Sequence, residues 1–437
     1  MAKKENNLNI CIAGLGNVGS SLVLSLTQNH QQILDKTNIN FNIAGISAKN
    51  KSKKRAFDIN KFKWFDNPFD LLNSDYCDIL IELIGEEKGV SFDLIKKALE
   101  SKIHVVTANK ALLSKNGDNL FKIAEENKVQ LLFEAAVCGG IPIISILKSS
   151  IFFNKINKIS GIFNGTTNYI LSEMESKNLN FTEVLNEAKK NGYAEADSTN
   201  DIEGIDSAHK LSLLSSICFG SKISFDNISY KGISEIDIED IKYANKLGYK
   251  IKLISESELI NNKLTSVVEP KLLFNTTRLA NVSGVLNAVK IETNHLKNLI
   301  FEGEGAGGKP TSSSIISDLC QISNNINLPA LGFSINELKN FDRLDVSEKL
   351  SSYYLRIIAE DSPGVLAKIT SNLTEEDISV KTILQIPDQK NNNNQIPIII
   401  ITHDTKKSLL TKVLKKIEKL NFVQSKITVI TIDKNID

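Results

Sequence analysis

Leu8-Asn-Ile-Cys-Ile-Ala13-Gly14-Leu15-Gly16-Asn17-Val18-Gly19 is the stretch from which the fold follows. Its first six residues alternate as a strand, three glycines come next at G-x-G-x-x-G spacing, and a helix is expected from about Ser20 to Leu34. Such glycines let the turn close, let the backbone approach a pyrophosphate and let the helix pack on the strand. The phosphates then lie at the helix N-terminus, where free N–H groups and the helix dipole favour anions. The glycine pattern alone is a weak signal; a strand before it, a helix after it and a further strand make it a strong one. Gly14, Leu15, Gly16, Asn17, Val18 and Gly19 are therefore the expected dinucleotide-binding residues, the alternative being a Rossmann relic that binds nothing.

The next strand, Phe41 to Ile46, runs into Ser47-Ala48-Lys49, where an NAD site usually has an acid for the ribose 2′-hydroxyl. Lys51, Lys53, Lys54 and Arg55 follow, and the first acid is Asp58. Cations suit a 2′-phosphate, so NADP is expected, with Lys49 among its ligands and NAD as the alternative. A solvated basic loop would read the same way. Further βα units follow: a buried strand from Cys77 to Gly85, an amphipathic helix from Val90 to Leu99, and short strands at His104–Thr107 and Val129–Glu134. Lys110 falls just past the carboxyl end of a strand, which is where open parallel sheets bind ligands. It is a candidate for a reaction cleft; the plainer reading is a surface lysine.

Composition narrows the class. The chain has 437 residues, too many for one ordinary core, so two or three domains are expected. Its 52 Lys and Arg against 51 Asp and Glu remove any global electrostatic case for nucleic acid or an anionic membrane. No apolar run approaches a membrane span, and the polar start from Met1 to Asn7 does not resemble a secretory signal. Five scattered cysteines without C-x-x-C spacing suggest reduced, buried thiols in a cytoplasmic protein rather than a zinc site or disulfide scaffold.

Tyr193-Ala-Glu195-Ala-Asp197-Ser-Thr-Asn-Asp201-Ile-Glu203-Gly-Ile-Asp206-Ser-Ala-His-Lys210 packs five carboxylates into a short polar segment and then enters an apolar run from Leu211 to Phe219. If a helix starts near Asp206, Asp206 and Lys210 lie one turn apart on one face. An acid and an amine so placed can share a proton-transfer site, with Glu195 free to hold a cationic substrate group. Read more plainly, Asp206 caps the helix and Lys210 is its solvated partner.

Together with this segment, Gly14–Gly19, Glu82–Gly85, Thr107–Lys110, Glu134–Pro142, Gly161–Ile170 and Gly303–Thr311 resemble, in order and spacing, the motifs of homoserine dehydrogenases over roughly residues 8–345. That resemblance implies an α/β fold: a Rossmann domain over 1–140 completed by 308–345, and an α+β catalytic and dimerisation domain over 141–307. It implies reduction of L-aspartate 4-semialdehyde to L-homoserine, in threonine, methionine and isoleucine biosynthesis. Lys210 would donate the proton, Lys110 would be a second cation touching cofactor and substrate, and Glu195 and Asp206 would counter the substrate ammonium. Asp201 and Tyr193 would complete the pocket, Gly165 and Thr166 would offer donors to the substrate carboxylate, and Gly307 would close over the cofactor. The family also holds a monovalent cation, expected to be sodium, here at Glu134 and the carbonyl oxygens of Val137, Gly139 and Ile141. The chain departs from the family pattern at Ser198 and Glu304, where Pro is usual. No kinase-like segment precedes residue 8, so an aspartokinase fusion is not expected.

Beyond a connection at Leu331–Ser351 the pattern becomes βαββαβ, a ferredoxin-like order, with a polar hairpin loop at Asn391–Asn394. The turn Asp361-Ser-Pro363-Gly364-Val-Leu366 resembles the ligand-binding turn of ACT domains, so residues 351–437 are expected to form one. That implies a homo-oligomer, dimer or tetramer, inhibited by threonine; a purely dimerising module is the alternative. Two other readings of the whole chain stand beside this one: an NADP-linked reductase of another oxo acid, and an amino-acid sensor keeping an inactive dehydrogenase domain.

Overall fold

The computed structural model describes residues 6–73, 77–324, 326–385 and 395–434. The expected hairpin loop at Asn391–Asn394 lies outside them. Strand β1 (Asn6–Ala13) leads through the glycine turn into α1 (Asn17–Gln28) and α2 (His30–Thr37). The single helix expected to Leu34 thus breaks at Asn29, whose amide nitrogen still bonds Ser25 O. Next come β2 (Ile39–Ser47), β3 (Trp64–Phe65), β4 (Ile79–Glu82), α3 (Val90–Glu100), β5 (His104–Thr107), α4 (Lys110–Asn127) and β6 (Leu131–Leu132). All six strands are parallel in the order β3-β2-β1-β4-β5-β6, the dinucleotide-fold order that leaves a crevice between β1 and β4. Strand alternation explains the layering. Ile10 and Ile12 join Leu22, Val23 and Leu26 of α1 in one core, while Cys11 and Ala13 face Leu94, Ala98 and Leu112 in another.

A short α5 (Ile143–Ser145) opens the second region, followed by β7 (Ile156–Ile162), α6 (Gly165–Lys177), α7 (Phe181–Lys190), α8 (Thr199–Ile202) and α9 (Ile205–Phe219). After these come β8 (Ser229–Tyr230), α10 (Ile238–Lys246), β9 (Tyr249–Ile260), β10 (Lys263–Phe274), α11 (Arg278–Asn281), β11 (Leu286–Thr293), β12 (Lys297–Glu304) and α12 (Gly308–Ser323). Strands β12, β11, β7, β9 and β10 form an antiparallel array. Helix α12 returns to the first region: Ile315, Leu319 and Ile322 enter the core made by Ile10, Ile12 and α1.

The rest comprises β13 (Asp342–Arg343), β14 (Leu350–Glu360), α13 (Val365–Glu375), β15 (Val380–Gln385), β16 (Gln395–Thr402), β17 (Thr405–Lys406), α14 (Lys407–Ile417) and β18 (Thr428–Ile432). The order β18-β14-β16-β15 is ferredoxin-like, with Ile369, Leu373, Leu410 and Val413 of its two helices packed on one face. This sheet is not separate. Strand β18 pairs in parallel with β10 through Lys271↔Thr431 and Leu272↔Ile432, so the two arrays form one twelve-stranded sheet.

Candidate active site

Two helix starts and one strand end build the site. Helix α9 begins after Gly204, and its exposed-looking sequence is in fact buried from Asp206 to Phe219. The apolar run provides the burial, so Asp206 and Lys210, 7% exposed each, are carried in with it. The Lys210 ammonium donates to Asp206 Oδ2 at 2.7 Å and to the carbonyl of Phe163, past the end of β7, at 2.6 Å. Lys110, the first residue of α4, reaches Asp206 Oδ1 at 3.2 Å from the opposite side. One carboxylate thus bridges two ammonium groups.

Electrostatics follow from that arrangement. Burial alone would raise the Asp206 pKa, but Lys210 and then Lys110 outweigh it and hold the group well below the ordinary carboxylate range. Asp206, more than the cost of burial, lifts the Lys110 ammonium above its ordinary value, with smaller help from Asp201 and Glu195. Asp201 moves the other way, raised by burial and by Asp206.

Lys110 owes its place to a buried polar chain. Glu82, fully buried at the end of β4, accepts from Ile84 N, Gly85 N, Ser91 Oγ and, at 2.6 Å, Thr107 Oγ1. Thr107 Oγ1 accepts from Asn109 N, and Asn109 caps α4 by accepting from Leu112 N. The sequence displays Glu82–Gly85 and Thr107–Lys110 as separate motifs, and only the fold joins them into one support.

Asn164 is the functional residue that sequence reading missed. Its side-chain oxygen caps α6 at Thr167 N, and its amide nitrogen donates to Asp201 Oδ1 at 2.7 Å and to Asp206 Oδ2 at 2.9 Å. An Asn before Gly165-Thr166-Thr167 signals a helix cap, but nothing local shows that two acids 37 and 42 residues later meet its other end. Thr166 Oγ1 donates to Tyr193 O at 2.8 Å, and Tyr193 packs its ring on Tyr169 at 4.8 Å. Glu195 is exposed at the rim. Of the two departures from the family pattern, Ser198 is buried and accepts from Asp201 N and Ile202 N through its carbonyl; Glu304 is exposed and its carbonyl accepts from Gly140 N at 2.9 Å.

On the nucleotide side, a cavity of about 600 Å³ is lined by Gly14, Leu15, Gly16, Ser47, Lys49, Lys53 and Arg55, among others. The glycine turn is sterically obligatory: a Cβ on Gly19 would stand 2.0 Å from Gly14 O. The start of α12 also meets this turn, because a Cβ on Gly308 would lie 2.9 Å from Ser21 Cβ and 3.2 Å from Asn17 Oδ1. Gly307, just before it, therefore borders the same glycine-rich corner.

The Glu134 carboxylate is buried and accepts from Ile144 N and Ser145 N, both at 2.8 Å, and from Ser145 Oγ. Burial raises its pKa despite those donors. Gly139 O accepts the Ser314 hydroxyl and Ile141 O the Ile143 N–H. Among the described residues, no three His, Cys, Asp or Glu side chains converge as metal ligands, and no helix is long and apolar enough to cross a membrane.

Residues 14–134 match the family model for the homoserine dehydrogenase NAD-binding domain, 142–320 that for homoserine dehydrogenase, and 353–422 that for the ACT domain. A homoserine dehydrogenase from Neisseria gonorrhoeae is 36% identical over 434 residues, 98% of each chain. The chain belongs to the homoserine dehydrogenase family. A relative from Pseudomonas aeruginosa, also a homoserine dehydrogenase, is 36% identical over 97% of this chain and 98% of its own. The solved homoserine dehydrogenase of Thiobacillus denitrificans superposes with a TM-score of 0.91 at 36% identity, covering 98% of both chains. The family is one of oxidoreductases, the NAD-binding match supplies a nicotinamide dinucleotide as cofactor, and the reading as an inactive sensor is not favoured.

Proposed function

We propose that the Lys110–Asp206–Lys210 cluster is the reaction centre for reducing L-aspartate 4-semialdehyde to L-homoserine. The single observation that carries this is one buried carboxylate bridging two ammonium groups beside the nucleotide domain. When bound, reduced nicotinamide supplies the hydride to the aldehyde carbon. Lys210 donates a proton from Nζ to the oxygen as charge develops there, its ammonium aimed by Phe163 O and Asp206. Lys110 stabilises the same developing charge from the cofactor side. Asp206 pairs with both amines, raises the pKa of Lys110 and, with Glu195 at the rim, counters the substrate ammonium. Asp201 and Tyr193 complete the pocket, and the start of α6 at Gly165 and Thr166 turns its N–H groups to the substrate carboxylate.

NADP is the proposed cofactor, since β2 ends on Ser47 without an acid and Lys49, Lys53 and Arg55 line the cavity beyond it. A monovalent cation, sodium, is proposed at Glu134 and the carbonyls of Val137, Gly139 and Ile141. Carbonyl oxygens keep a second lone pair after one hydrogen bond, and an all-oxygen donor set fits a hard, weakly charged ion. At the ACT turn, a cavity of about 340 Å³ lined by Asp361, Ser362, Pro363, Gly364 and Gln385 supports a threonine effector and, with it, a homo-oligomer. The domain limits are proposed at 140, 307 and 351, with 308–345 completing the first. The test is NADPH and NADH consumption by purified protein given aspartate semialdehyde. Rapid loss, faster with NADPH, is expected; no loss with either cofactor in folded protein would overturn the proposal.

A further inference from the structure

We propose that His209 is a positioning residue for the reaction: its buried hydrogen bond to Ser114 fixes the register of α4 on α9, and so the place of the Lys110 ammonium against Asp206. The inference rests on the reading of Lys110, Asp206 and Lys210 given above.

His209 and Ser114 are 6% and 3% exposed, and His209 Nδ1 lies 2.6 Å from Ser114 Oγ. Ser114 Oγ is also 3.0 Å from the Ala111 carbonyl. A hydroxyl has one hydrogen, so both contacts are met when Oγ donates to Ala111 O and accepts from Nδ1–H. Nδ1 then carries a hydrogen, so in the neutral ring Nε2 is the bare nitrogen. The imidazole stacks on Phe225 at 4.2 Å and 17°, and Lys115, paired with Glu87 at 2.9 Å, lies over Phe225 at 5.2 Å. The charged groups around the ring are Asp206 and Lys110 on the cleft side, and Lys115 and Glu87 outside. Burial, the largest influence, pulls the imidazole down to about 4, so the ring stays neutral near pH 7.

The geometry gives the bond its role. Lys110 and Ser114 are one turn apart on α4, and Asp206 and His209 are one turn apart on α9. The helices therefore meet at two points, an ion pair and a hydrogen bond. A lysine stem has four rotatable carbons and follows a slipping helix poorly defined in place; a stacked imidazole does not. The hydrogen bond is thus the pin and the ion pair the working end. Misplacing a reacting group by about 1 Å can cost on the order of 10²-fold in rate.

The experiment compares Ser114→Ala, His209→Leu, His209→Asn and the Ser114→Ala/His209→Leu double variant, with Lys210→Ala as control. Each is read by kcat, KM for NADPH, the pH profile of kcat and the thermal midpoint. Ser114→Ala and His209→Leu are each expected to lower kcat about 10-fold, a fraction of the misplacement effect, with KM for NADPH unchanged. The alkaline limb should move to lower pH, because Lys110 loses part of the field of Asp206. The double variant should be no worse than the poorer single one. His209→Asn, whose amide N–H can replace Nδ1–H, should recover most of the rate. A wild-type rate and limb in folded Ser114→Ala, with Lys210→Ala inert, would overturn the His209 assignment alone. A lowered thermal midpoint with an unmoved limb would make the pair merely structural and overturn it equally. An active Lys210→Ala would overturn the reading beneath it.

Discussion

At Asp206 one carboxylate carries two jobs, and they can be separated by titration. It holds Lys110 and Lys210 in place, and it raises the Lys110 pKa. In Asp206→Asn that raising influence is lost, so Lys110 gives up its proton at lower pH. The alkaline limb of kcat/KM is expected to move acidward, and an unmoved limb would show that Lys110 does not titrate in the rate. Asp206 and Lys210 were legible in the sequence because a helix puts residues four apart on one face. Asn164, Phe163 O and the Ser114–His209 bond were not, because they come from segments 37 to 95 residues away and are brought together only by packing. The resemblance also implies Thr166 as a donor to the substrate carboxylate, and in the fold its hydroxyl donates to Tyr193 O.

Among the elements, the strand–glycine–helix unit was the most legible, since each of its parts has its own local signal. The break between α1 and α2 was not: Thr27 to Gln32 are all polar and exposed, a stretch that a continuous surface helix also tolerates. Because a Cβ at Gly19 would overlap Gly14 O, Gly19→Ala is expected to abolish cofactor binding while the substrate domain stays folded; NADPH titration by fluorescence checks this. The loop after β2 offers a subtler test. Arg55 is held by three backbone carbonyls, of Asn50, Lys51 and Lys53, which leaves it placed at the cavity edge. If it meets the 2′-phosphate, Arg55→Ala should weaken NADPH binding by about 10- to 100-fold, the worth of a charged hydrogen bond, and leave NADH binding unchanged. Equal losses for both cofactors would assign the loop a structural role.

Across the whole molecule, the ACT module is joined to the catalytic region more closely than a linker would allow. Beyond the β10–β18 pairing, Arg356 of β14 makes a two-point contact with the fully buried Asp240 of α10, at 2.6 and 2.8 Å, and Tyr354 adds a third bond. No local pattern could show this, because the parallel pair joins residues over 150 positions apart. Removing one side of a buried pair leaves an uncompensated charge, so Arg356→Ala should cost about 3–5 kcal/mol in urea unfolding. A cost near zero would mean that water reaches Asp240. Sensitivity to threonine, in contrast, is expected to fail in variants of the Asp361–Gly364 turn that keep the basal rate. The central claim meets its most direct test at Lys210: NADPH consumption with aspartate semialdehyde by Lys210→Ala, alongside NADPH binding to the same protein. Turnover should fall at least 10²-fold, the usual share of a general acid, with binding nearly intact. Wild-type turnover in that variant would contradict the claim.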